Sequence, residues 1–421
     1  MTGRAYVVGV YATEFGRWPD KDFRQLTREA LLGALADAGL DDGQDIDTAW
    51  FGSCLMSYWG QDATRGSACL APLIGEGVMS DAPIINVEGG CATGSLALVS
   101  ACRDIKAGAA DLTLAVGVDK LYDPTDRHGP LQLFDGGTSP MDSRELRDYY
   151  REVGEYVGTP FANAPDHSFA MDTYAMQALL HQKLYGTTTE QIAYAAAKNH
   201  TNGSLNPRAQ YRFPLTTEEV LADRLVSEPL TRAMCAPLSD GAAAALLCSE
   251  SYLSQQCPEV RAQAIPILGL GLSGGSYRDY TEPSLSRTAA DHAYKAAGIT
   301  SGEVDLAEVH DAVSFCEIYQ AEMMRFCGLG QGGTFVASGE TSLHGSIPIN
   351  TSGGLISRGH PLAATGISMC NELALQLRGA AGKTQVPNAQ VALQENGGGI
   401  MGLGEAVAAV LLYGAPTART R

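Results

Sequence analysis

Short runs of β-branched and aliphatic residues alternate along the chain with longer segments of helical period. A first run at 6–10 (YVVGV) precedes LTREALLGALADAGL at 26–40, whose apolar residues recur at three and four positions. A turn and the run IDTAWFG from Ile46 follow. The same order returns later: IPILGLGL, then LSRTAADHAYKAAGI at 285–299, then VDLAEVH from Val304. Gly39 and Gly298 are 259 positions apart and Asp47 and Asp305 are 258 apart, so the two alignments agree within one residue. IINVEGGCATGSLALVSACRDIKAG likewise matches IPINTSGGLISRGHPLAATGISMCNELALQLRG, with Gly94 and Gly366 each closing an ATG at a helix start. Both halves finish in β-type runs, ADLTLAVGV and DGAAAALLC in the first, AQVALQE and EAVAAVLLY in the second. The pattern predicts a tandem duplication of an α/β layered unit, residues 1–255 and 256–421. An insertion at about 122–235 distinguishes the first half, and two helices are read inside it, at 168–185 and 189–202.

Composition narrows what such a body can do. Of 421 residues, 45% are hydrophobic and 18% charged, which excludes a disordered chain. Twenty-nine basic against 47 acidic residues give a formal charge of -18, a field that repels nucleic acid and anionic lipid. No run of about 18 apolar residues is present for a membrane helix, and no signal-like segment opens the chain, so a cytoplasmic protein is expected. The ten cysteines contain no CxxC pair and predict neither a disulfide framework nor a zinc site.

Cys91 stands in GGCATGS, between the strand-like IINV and an apolar helix. A glycine-bounded turn at a helix N-terminus lowers a thiol pKa and offers N–H groups to an oxyanion; a buried structural cysteine is the other reading. The matching turn of the second half, SRGHPLAATG, carries His360, and two such turns facing each other would set a histidine beside a cysteine. His310 ends the run VDLAEVH, at the mouth of a sheet, while the adjoining Asp311 is also suited to capping the next helix. QENGGGIMG, residues 394–402, supplies three glycines after a strand, where backbone can approach a ligand.

In this order the four pieces resemble the thiolase family, and the resemblance covers nearly the whole chain. The His-Asp start of the second loop is similar to the sterol-carrier-protein-type branch. The resemblance implies a five-layered αβαβα fold with an inserted loop domain, and acyl transfer from coenzyme A. By it, Cys91 is the acyl acceptor, His360 activates it, His310 polarises the second thioester, and the N–H groups of Cys91 and Gly397 form an oxyanion hole. It also implies a homodimer or homotetramer, coenzyme A as substrate, and no permanently bound cofactor or metal. The second catalytic cysteine of the family is missing: its two customary positions hold Glu395 and Ala312. The α-proton base is then His310, which we favour, Glu395 or Cys316; Glu395 is also suited to bonding the glycine loop.

Residues 191–217 contain no acid but include Lys198, Arg208 and Arg212, and are read either as the site of the coenzyme A phosphates or as plain solvated surface. Residues 134–161, with Tyr149, Tyr150 and Tyr156, are read as an acyl pocket or an interface. The function expected is an acyl-CoA C-acyltransferase that forms or cleaves a β-ketoacyl-CoA through an acyl-cysteine. Two alternatives compete with it: a retro-aldolase working with a zinc-ribbon/OB-fold partner, and a non-catalytic subunit. The intact Cys91 and Gly-His-Pro turn argues for the first.

Overall fold

A computed structural model describes residues 3–126, 129–132, 138–139, 143–161 and 168–416. Nine strands form one ladder in the order Leu306–Glu308, Val391–Gly398, Val407–Gly414, Ile265–Gly274, Ala5–Ala12, Gly241–Ser249, Leu112–Asp119, Thr48–Gly52, Ile84–Val87. The first four come from the second half of the chain and the last five from the first half. At the centre, Ala5–Ala12 and Ile265–Gly274 run antiparallel and pair only at Tyr6–Pro266 and Val7–Ile265, so the ladder divides there into two sheets.

The strands' period of two decides the layering. Leu112, Leu114, Val116 and Val118 face one way, into a cluster with the helices Phe23–Asp37 and Arg65–Gly75. Ala408, Val410 and Leu412 face the helices Leu285–Ala297 and Ser314–Met323 in a second outer cluster. Between the sheets, Ala243, Ala245 and Leu247 on one side and Ala409, Leu411 and Tyr413 on the other enclose the helices Thr93–Ala107 and Leu362–Leu377. The succession is helix, sheet, helix, sheet, helix. Leu362–Leu377 is buried along almost its whole length, its polar Thr365, Ser368, Asn371, Glu372 and Gln376 included.

Local signals account for the element ends. Asp22 caps Phe23–Asp37 in a capping box with Gln25, and Gly39 beyond it adopts φ +68°. Gly298 closes Leu285–Ala297 at φ +71°. Asp47 accepts the N–H groups of Asp111 and Leu112 at 2.7 and 3.1 Å, and Asp305 those of Gln390 and Val391 at 2.7 and 2.9 Å. Each aspartate thus pins the start of the neighbouring strand. Gly94 and Gly366 mark where the two central helices touch: a Cβ on Gly94 would lie 2.4 Å from the Ala363 oxygen, and one on Gly366 2.2 Å from Ser95 Oγ. The expected helices of the insertion occur as Phe169–Tyr185 and Thr189–Leu205, joined by Ser143–Val157, which the pattern analysis did not identify.

Candidate active site

The turn after Ile84–Val87 is a single 3₁₀ turn, Gly90–Ala92, leading into the helix Thr93–Ala107. Thr93 Oγ1 accepts the Gly89 N–H at 3.0 Å and donates to the Gly90 oxygen at 2.7 Å, so one hydroxyl closes the turn. Gly90 has φ +56°, and a Cβ there would meet the Gly399 nitrogen at 2.6 Å. The glycine therefore lets the loop after Val391–Gly398 lie directly against the turn. Cys91, at its apex, is half-buried.

Cys91 Sγ and one ring nitrogen each of His310 and His360 lie within 4.8 Å of one another. The two imidazoles meet edge to face, centroids 5.3 Å apart. His360 is held at both ends: its N–H donates to Ser239 Oγ at 3.0 Å, and Nδ1 is 2.7 Å from Thr365 Oγ1. The single Thr365 hydroxyl proton goes to the Pro361 oxygen at 2.9 Å. Nδ1 must then be the donor toward Thr365, which leaves Nε2 with a lone pair. That Nε2 is buried and has no partner among the described residues, and neither has Nε2 of His310. Cysteine and histidine are also zinc donors, and these three atoms are close enough to share an ion; acyl transfer needs the same three groups free.

The electrostatics differ from the expectation for a helix-terminus cysteine. Burial, and next the Asp119 charge, push the Cys91 thiol up to about 12, against a smaller opposing effect of its own N–H. Burial pushes His310 down to about 4, and burial, then His310 and Arg358, hold His360 well below its usual value. The pair rests as thiol and neutral imidazole, so the thiolate forms only as His360 takes the proton during attack. The thiol–helix alignment is real, but desolvation outweighs it.

Asp119 organises the junction between the halves. Its carboxylate accepts Ser53 Oγ and the N–H groups of Cys54 and Leu55, and, from the second half, the Ala363 N–H at 2.8 Å. It holds the start of Leu362–Leu377, and with it the His360 turn, against the Cys91 side. Burial raises this carboxyl to about 6. Tyr174, on Phe169–Tyr185, is electrostatically coupled to the site: burial first, then the Cys91 and Cys316 thiols and Glu405, push its phenol well up. Sequence reasoning missed both. An acid closing an otherwise apolar strand was a usable signal for Asp119; Tyr174 carried none, because its surroundings are set only by folding of the insertion.

Several expected roles are relocated. Glu395 accepts the His310 N–H at 3.0 Å and the Ser286 hydroxyl at 3.0 Å, so both its oxygens are engaged in holding the strand end that carries His310. The Gly397 N–H also acts on the Glu395 carboxyl, so the amide expected for the oxyanion is shared with that group. Asp311 does not cap the helix that follows; it accepts the Leu355 N–H at 2.7 Å and the Asn199 amide at 2.8 Å, anchoring the short helix Gly354–Arg358. Cys316 lies in the first turn of Ser314–Met323, and Ala312 precedes that helix, so the two are not neighbours on one helix face.

Lys198 does not join a phosphate-binding surface: it is buried, 2.8 Å from Glu317 and bonded to the Thr341 and Ile349 oxygens. The lack of acids at 191–217 reflects the burial of Thr189–Leu205 in an alanine-rich cluster. Arg208 packs over the Tyr11 ring and Arg212 pairs with Glu14, so the three cations form no common patch. Tyr150 is fully buried, stacked on Phe161 and bonded to the Gly402 oxygen; it buttresses the glycine loop from behind. Phe134, in the same expected pocket, lies outside the described residues.

Comparison with known proteins agrees with this geometry. A family model described as "Thiolase, N-terminal domain" matches residues 5–251, and "Thiolase C-terminal domain-like" matches 273–412. An acetyl-CoA acetyltransferase of Methanothermobacter thermautotrophicus is 36% identical over 401 residues, covering 94% of this chain and 96% of that protein. Human sterol carrier protein 2 is 36% identical over 420 residues, 97% of this chain and 71% of its own length. Among solved structures, an Ltp2–ChsH2(DUF35) aldolase superposes with a TM-score of 0.76 at 21% identity, covering 99% of each chain. Human mitochondrial 3-ketoacyl-CoA thiolase gives 0.64 at 17%, also covering 99% of each. The chain belongs to the thiolase family.

Proposed function

We propose that the protein is an acyl-CoA C-acyltransferase that makes or cleaves a β-ketoacyl-CoA through an acyl-Cys91 intermediate. The observation that carries this is the His360 tautomer: a buried Nε2 lone pair, unpartnered among the described residues, on a ring with a nitrogen within 4.8 Å of the Cys91 sulfur. Cys91 Sγ attacks the thioester carbon while its proton passes to His360 Nε2, and the departing coenzyme A thiolate takes that proton back. The Cys91 N–H, already directed at its own sulfur side, meets the developing oxyanion. A second acyl-CoA, its carbonyl polarised by His310, then supplies the carbon nucleophile. The 36% identity to an acetyl-CoA acetyltransferase supports the reaction class.

Incubation with short acyl-CoAs followed by intact mass tests this reading. An adduct that Cys91→Ser lacks is expected, and an adduct mapped to another cysteine overturns it. The aldolase reading draws on the Ltp2–ChsH2(DUF35) likeness, which at 21% identity speaks for the fold; aldol cleavage requires no acyl acceptor, and here one is built. The same proposal includes a homodimer or homotetramer, and light scattering that returned the monomer mass of 44.3 kDa at micromolar concentration would remove that part.

A further inference from the structure

Resting on the acyl-transfer reading, we propose that Glu405 is the base that takes the substrate α-proton, the role left vacant by the missing second cysteine. Glu405 follows the glycine loop and lies directly across it: a Cβ on Gly397 would meet Glu405 Cγ at 2.5 Å. One carboxyl oxygen is locked, with Oε1 3.2 Å from both Ser286 Oγ and Gln320 Nε2. The other, Oε2, is buried and without a partner, as is Oε1 of the adjoining Gln320. Geometry ties this carboxyl to the site: Ser286 Oγ lies within hydrogen-bond distance of both Glu405 and Glu395, Glu395 accepts the His310 N–H, and the same glycine loop touches the Cys91 turn where Gly399 meets Gly90.

Proton counting separates Glu405 from Glu395. Ser286 Oγ is within hydrogen-bond distance of both carboxyls but has one proton to give. Burial, and next the neighbouring Glu405, raise Glu395 to about 8, so at neutral pH Glu395 holds a proton of its own. Glu395 has both oxygens committed, whereas Glu405 keeps one open. In the step itself, the Cα–H bond of the second acyl-CoA breaks, its proton goes to Glu405 Oε2, and its electron pair becomes the enolate. The enolate carbon bonds to the acyl carbon on Cys91, the sulfur leaves with the C–S pair as a thiolate, and the α-proton taken up by Glu405 restores the Cys91 thiol, so both groups end as they began.

The test pairs two measurements on the full-length protein: acylation of Cys91 by intact mass, and deuterium uptake at the α-carbon of acetyl-CoA in deuterated water. Glu405→Gln is expected to keep acylation within about threefold and to lower exchange by about 10²-fold or more. Glu395→Gln, which replaces a group engaged in holding the strand end, is expected to keep exchange within about tenfold. Exchange within threefold of wild type in Glu405→Gln overturns the proposal. If that variant does not fold, Glu405→Asp, which withdraws the carboxylate by one methylene, must lower exchange at least tenfold with acylation intact, and unchanged exchange overturns it as well. Exchange that depends on Glu405 in a wild-type protein never acylated at Cys91 would keep the base and remove the acyl-transfer reading instead.

Discussion

The two halves of the duplication share a frame and differ in what they hang on it. Asp47 and Asp305 pin equivalent strands through equivalent pairs of backbone N–H groups, and Gly94 and Gly366 form the two sides of one helix contact. The corresponding turns diverge: the first ends in a half-buried cysteine, the second in a fully enclosed Gly-His-Pro. The first half also completes a fifth strand, Ile84–Val87, where the second has a single bridge between Ala307 and Ile349. The frame is repeated because each half has the same backbone donors to satisfy. The turns are free to differ because a glycine-rich turn at a helix start imposes few demands on the side chain it presents.

The contrast between frame and turns can be broken experimentally, beginning at the turns. Cys91→Ala should remove acyl transfer, by roughly 10³-fold or more, while leaving thermal unfolding unchanged; a variant that stayed active would dismiss Cys91 as nucleophile. His360→Ala should cost about 10²- to 10⁴-fold in the acylation rate. Because burial holds His360 well below its usual value, the wild-type acylation rate should not fall near the ordinary histidine value of 6.5 as the pH is lowered. Stopped-flow release of coenzyme A measures both.

Frame variants should do the reverse. Gly94→Ala and Gly366→Ala should each destabilise by about 1–3 kcal/mol, since backbone or a buried hydroxyl occupies the space a methyl would need. Denaturant titrations that showed a loss in one and none in the other would refute the shared contact. Asp47→Ala and Asp305→Ala should each cost about 1 kcal/mol, in step with one another.

The smallest effect is a change of slope with pH. Between about 4.5 and 8, folded Glu395 retains a proton that the unfolded chain has released, so its contribution falls as pH rises through that window. His310 acts oppositely: between about 4 and 6.5 the unfolded chain binds a proton that the folded state refuses, so stability falls as pH drops. Glu395→Gln should flatten the alkaline side alone. Urea midpoints at pH 5, 6.5 and 8 test this, and equal slopes in both proteins would contradict the buried, protonated carboxyl.

Much of the frame was legible because it rests on local rules. Hydrophobic period and the matching spacings of two glycines and two aspartates predicted the repeated strands and helices of both halves before any contact was known. Cys91, His310 and His360 were legible as candidates because each stands at a glycine-rich or strand-end position where chemistry is presented. The missed helix Ser143–Val157 is polar along its exposed face, and its buried residues Leu146, Tyr150 and Val153 gain a partner only in the folded insertion.

The sequence by itself determined the duplication, the alternation of strands and helices and the residue types offered at each turn, because strand and helix periods and turn chemistry are properties of neighbouring residues. Tertiary structure decided the rest. It set the charge state of the site, since desolvation by distant segments overrides the helix terminus at Cys91. It turned Lys198 inward to Glu317 and bound both oxygens of Glu395. It also brought Asp119, from another strand, near enough for its charge to act on the Cys91 sulfur. Burial and through-space charge depend on every segment packed around a group, and no local pattern of residues records them.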